Sequence, residues 1–176
     1  SDYVSTNTGN LLLAKASETF LHDSDGNLTS DSLWTNRWDG ENRLTSIESQ
    51  SAVPTGAKVK LDFAYDQGGR RLQKIVSTWN GSSWVAQRTN RFCYDGWNLV
   101  AEVDHTNGLI RSYLWGLDLS GSTQGAGGVG GLLGLNSATN GIQFAANDGN
   151  GNLSALIGAT NGIPNACYDY SPFGEL

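Results

Sequence analysis

The 176-residue sequence predicts an all-β fold, an irregular strip of β-hairpins, on three observations. Apolar residues recur with the period of two that a pleated backbone imposes. No stretch sustains apolar spacing at i, i+3, i+4 and i+7 with helix caps. Two stretches, "GNLLLAKASETF" and "GNLSALIGAT", come nearest, and both also suit strands after a turn. The third observation is a set of seven short units in which an acid or serine precedes Gly or Asn by three residues, the punctuation expected of hairpins.

The units follow one rule along the chain. They pair Asp23 with Gly26, Asp39 with Asn42, Asp66 with Gly69, Asp95 with Asn98, Asp104 with Asn107, Asp148 with Gly151 and Ser171 with Gly174. An Asp in the first turn position can accept hydrogen bonds from backbone N–H groups two or three residues on, and Gly or Asn in the fourth tolerates positive φ. The residue before the acid is aromatic in four units (Trp38, Tyr65, Tyr94, Tyr170) and ends the incoming strand, while a leucine soon afterwards begins the outgoing one. Intervals between acids run irregularly from 9 to 44 residues, so a solenoid of fixed rungs is excluded.

Between these turns lie the strands. "KVKLDFAYD" alternates Val59, Leu61, Phe63 and Tyr65 with Lys58, Lys60, Asp62 and Ala64 and is the clearest, expected to be half buried. "NRFCYDGWNLVAEVD" and "LIRSYLWG" behave similarly. In "STWNGSSWVAQ", Asn80-Gly81 separates two Trp-bearing runs, a strong short-range hairpin signal.

Charge divides the chain. All 11 Lys and Arg lie at or before Arg111, whereas residues 112–176 hold four acids and 14 of the 23 glycines. Two continuous β segments are therefore expected, 1–112 and 113–176, the second packed against neighbouring structure. The net charge of −6 points away from a nucleic-acid surface, and no apolar run is long enough for membrane insertion. Cys93 and Cys167 pair only if the fold brings them together; Cys93, between Phe92 and Tyr94, reads as a small packed residue. The chain lacks methionine and stops just past the turn in "YDYSPFGEL", so both ends read as cut from something longer.

The aromatic-acid units, with "FAYDQGGRR", "FCYDGWNLVAEVD", "YLWGLDLSGSTQGAGGVGGLL" and "NDGNGNLSALI", resemble bacterial RHS/YD-repeat proteins along essentially the whole chain. That resemblance implies a segment of a spiralling β-shell, built without catalysis and secreted or exposed at the cell surface as a capsule around a C-terminal effector. Its partners would be the rest of the parent RHS shell. His22 and Asn147 depart from the usual tyrosine, and Ser171 from the usual acid. Open sheet edges supply an alternative, self-assembly with further copies into an extracellular fibre or adhesive surface.

Chemical readings are weaker. "GAGGVG" matches a dinucleotide-loop pattern in letters, but no βαβ periodicity surrounds it, and no cofactor is expected. "DSDGN" and "DGNGN" offer alternating oxygens, yet the sixth and twelfth calcium positions are Leu28 and Trp34 or Leu153 and Ala159, so no metal is expected. Neither histidine has an evident nucleophile partner, so the expected answer to catalysis is no. Trp79, Trp84, Trp97 and Trp115 lie near turns, where a ring could stack on a glycan or simply on a cross-strand neighbour.

Overall fold

A computed structural model describes residues 17–171. It is all-β, a single open antiparallel sheet of thirteen strands in which each strand pairs with its neighbours in sequence. In chain order these are β1 (Leu21–His22), β2 (Leu28–Ser30), β3 (Trp34–Trp38), β4 (Leu44–Ser49), β5 (Val59–Tyr65), β6 (Arg71–Trp79) and β7 (Trp84–Asp95). There follow β8 (Asn98–Val103), β9 (Leu109–Trp115), β10 (Leu132–Ser137), β11 (Gly141–Asn147), β12 (Leu153–Gly158) and β13 (Pro164–Cys167). One turn of 3-10 helix, Thr55–Ala57, is the helical content of the described residues. The hairpin strip is thus present, and "GNLSALIGAT" forms β12; most of "GNLLLAKASETF" lies outside the described residues.

The chain divides into two compact units. One takes residues up to Phe63 together with Ile75–Gln87; the other takes Ala64–Lys74 together with the residues from Arg88 on. The composition boundary expected near Tyr113 falls inside β9.

β5 is half buried, Val59 to Phe63 and Tyr65 being partly exposed and Ala64 exposed, but the contrast between its apolar and polar faces is weak. Among the described residues the one buried hydrophobic residue is Val53. Period two survives because the backbone imposes it whether or not a face is dry. What is buried instead is polar: Ser46, Ser49, Ser77, Asn90, Asn98, Glu102, Asp118 and Gln143. Such groups usually stay inside when hydrogen-bonded, and most of these are, whereas Ser46 Oγ and Asn90 Oδ1 have no partner among the described residues. In the first unit, for example, Ser49 Oγ both accepts from Val59 N–H at 2.9 Å and donates to Val59 O at 3.0 Å.

A candidate anion-binding cavity among carboxylate-capped turns

The turn chemistry is uniform at five of the seven units. In Asp23, Asp39, Asp66, Asp104 and Asp148 one carboxylate oxygen accepts the N–H groups of the residues two and four positions on, at 2.8–3.0 Å. The fourth residue takes positive φ: Gly26 86°, Asn42 58°, Gly69 82°, Asn107 67° and Gly151 82°. Hydrogen bonds to the ionised form favour it, so all five carboxyl groups are held below the usual aspartate range. The largest cause is the Asn27 or Asn152 side-chain amide for Asp23 and Asp148, the Arg43 or Arg70 backbone N–H for Asp39 and Asp66, and the Thr106 hydroxyl for Asp104. Asp23 and Asp148, the first oxygens of the calcium reading, thus accept within their own turns on both carboxylate oxygens. Among the described residues no three His, Cys, Asp or Glu side chains gather as a metal site.

Two units differ. Asp95 pairs directly with Asn98 across a two-residue loop, with Gly96 at φ 57°. Gln124 clamps this loop from outside, donating to Asp95 O at 2.8 Å and accepting from Trp97 N–H at 3.0 Å. Ser171 is the last described residue, and Gly174 lies outside the described residues.

An eighth turn escaped the sequence reading. Asp118, 6% exposed, accepts the Ser120 N–H and hydroxyl on Oδ1 and the Ala126 and Gly128 N–H groups on Oδ2, while Gly121 takes φ 76°. Those contacts, led by the Ser120 hydroxyl, push its pKa down to about 2. Ala126 and Gly128 of "GAGGVG" therefore hold the protein's own carboxylate. The available signal was the Asp-x-x-Gly spacing of "DLSG", hidden because Leu117 stands where an aromatic is usual and no leucine follows soon after Gly121.

The aromatic before the acid has a defined task. Trp38 donates to Leu28 O at 2.9 Å, Tyr94 to Arg71 O at 3.0 Å and Tyr170 to Leu153 O at 3.0 Å. Trp38 and Tyr94 thus lock the end of one strand to the start of the strand beside it, and Tyr170 ties the segment after β13 to the start of β12. Trp115 does the same without a following acid, donating to Leu99 O at 2.7 Å. Of the other tryptophans named for glycan stacking, Trp79 and Trp84 pack edge to face at 5.2 Å, and Trp97 is 64% exposed. Cys93 and Cys167 are both free and exposed; Cys93 is not the packed residue expected, because the face it occupies is uncovered.

The most elaborate polar arrangement lies in the second unit. Register aligns Phe92, Glu102 and Arg111 in one row across β7, β8 and β9. Around that row a cavity of about 320 Å³ is lined by Arg71, Lys74, Arg88, Asn90, Phe92, Glu102, Ile110 and Arg111. Asn90 and Glu102, each 8% exposed, belong to its floor. Glu102 accepts Tyr113 Oη–H at 2.6 Å on one oxygen and Asn90 Nδ2–H at 3.2 Å on the other; Arg111 stands 3.7 Å from it. Burial, and then this bond to Glu102, pushes the Tyr113 phenol up to about 12. The Arg71 guanidinium lies 5.4 Å over the Phe92 ring. Asn90 Oδ1 is buried with no hydrogen-bond partner. The net charge of −6 conceals this cluster, because total charge says nothing of where four cations meet.

The fold and site thus define an open antiparallel hairpin sheet carrying a basic, polar cavity. No protein-family model matches the chain. Among curated proteins it is similar to tRNA nuclease WapA of Bacillus subtilis, 33% identical over 114 residues, and to tRNA3(Ser)-specific nuclease WapA of Bacillus spizizenii, 36% identical over the same length. That stretch is 64% of this chain but 4% of either relative. Three expectations are corrected. The RHS/YD-repeat assignment is not matched by any family model, because short turn units recur wherever hairpins do; the relatives found are named as nucleases instead. Those names likewise overturn the expectation of a non-catalytic shell segment and of no enzyme. Among the described residues no helix is long and apolar enough to cross a membrane.

Proposed function

We propose that this chain is a segment of a nuclease that acts on tRNA. The observation carrying the reading is the 33–36% identity over 114 residues to three proteins named as tRNA nucleases. Because the matched stretch is 4% of those proteins, the activity belongs to the whole parent chain. A secreted or surface-exposed location, implied by the family resemblance and not by the turns themselves, is part of the proposal. The test is to produce the parent reading frame whole and incubate it with total tRNA. Cleavage of tRNA is the expected result; a folded parent that leaves every tRNA intact overturns the reading.

A second proposal concerns self-association, supported by the apolar surface of the second unit. Leu114, Leu133, Ile142 and Phe144 are exposed and line one depression of about 460 Å³ on β9, β10 and β11. Among the described strands β1 and β13 each have an edge without a partner. A second copy laid on this surface buries apolar area at roughly 25 cal/mol per Å². Sedimentation across a hundredfold concentration range is expected to show growing oligomers, and Phe144→Ser to shift the distribution towards monomer. A single monomeric species throughout would exclude self-association.

A further inference from the structure

We propose that the cavity between Arg71 and Arg111 binds a phosphate ester that carries a neighbouring hydroxyl, the chemistry of a ribose phosphate. The inference stands on the cavity and not on the identity of the parent protein.

Two features divide the ligand into an anion and a donor. Four cationic side chains, Arg71, Lys74, Arg88 and Arg111, line a space with one carboxylate, Glu102. Among the described residues Lys74 and Arg88 have no acidic partner, and Arg111 approaches Glu102 only at 3.7 Å. Like-charged groups gathered at one opening are favoured by an anion, and guanidinium groups match phosphate oxygens in pairs. The anion belongs at this rim, since the buried Glu102 repels it from the floor.

The floor asks for something else. Asn90 must turn its Nδ2–H₂ towards Glu102, which can only accept, and this leaves Oδ1 as the buried acceptor without a donor. A buried acceptor is met by an O–H or N–H. A hydroxyl a few bonds from the phosphorus supplies it, reaching the floor while the phosphate stays with the arginines. The volume of about 320 Å³ suits such a small group. Inorganic phosphate satisfies the rim alone, and an acidic peptide side chain brings no hydroxyl. The same chemistry comes from a free sugar phosphate or from an RNA strand.

Calorimetry on the 176-residue chain separates these cases, since no cleavage is involved. Ribose 5-phosphate is expected to bind about tenfold tighter than inorganic phosphate, the worth of one well-placed hydrogen bond. Asn90→Ala should bring that ratio close to one, while Arg88→Gln should weaken both ligands and keep the ratio; melting curves check that each variant is folded. A ten-nucleotide RNA preferred over the same DNA assigns the site to a strand, and no such preference assigns it to a free ester. The proposal is overturned if ribose 5-phosphate binds no tighter than inorganic phosphate, if Asn90→Ala keeps the preference, if Arg88→Gln changes neither affinity, or if polyglutamate binds equally well.

Discussion

Acidification is expected to unfold the sheet through its turns. Six aspartates, Asp23, Asp39, Asp66, Asp104, Asp118 and Asp148, have carboxyl groups held below their ordinary value in the folded chain. In the unfolded chain each returns to about 3.9. A depressed folded-state value means that the unfolded chain binds protons first, so the stabilisation is complete above that value and is lost as pH falls. The window runs from about pH 5, where protonation of the unfolded chain begins, to about pH 2, where Asp118 titrates in the fold. Chemical denaturation at successive pH values should show stability falling steeply across it, the six sites acting together. Asp118→Asn should be less stable at neutral pH, because its amide cannot accept at both ends, yet lose less on acidification. A stability profile flat from pH 6 to pH 3 would show that the turn carboxylates do not hold the fold.

Gly134→Ala is expected to be the most damaging single methyl. Gly134 is buried in β10, opposite Leu114 of β9 and Phe144 of β11, just after a register shift at Leu132. A Cβ added there would stand 2.6 Å from the Gln143 carbonyl oxygen. Backbone cannot swing aside as a side chain can, so the β10–β11 ladder must spread. Overpacking of this kind costs about 1–3 kcal/mol. For a chain of this length that lowers the melting temperature by several degrees, roughly 2–4 °C per kcal/mol. Gly149→Ala is the control: it has no neighbour within 4 Å of its added Cβ and no positive φ, and should be nearly silent. Equal melting temperatures for both variants would mean that β10 and β11 do not approach as closely as described.

The class of fold and five of the turns are legible in the letters alone. An aspartate three residues before Gly26, Asn42, Gly69, Asn107 or Gly151 closes its loop with its own carboxylate, and those contacts are local enough to be legible in a string of letters. Period two gave the strands for the same reason, since it belongs to the backbone. Tertiary structure alone decided what each face does. "KVKLDFAYD" promises one dry side, yet dryness needs a second layer, and the alternation says nothing about whether one is present. The loop at "DGWN" was settled by Gln124, 29 residues beyond Asp95, and the loop around Asp118 by Ala126 and Gly128, eight and ten residues away. The cavity is the extreme case. Its residues come from four strands spread over Arg71 to Arg111, and only the register of those strands brings Asn90 to Glu102 and leaves one oxygen unmet. A shift of one residue in any pairing sends these side chains to the opposite face.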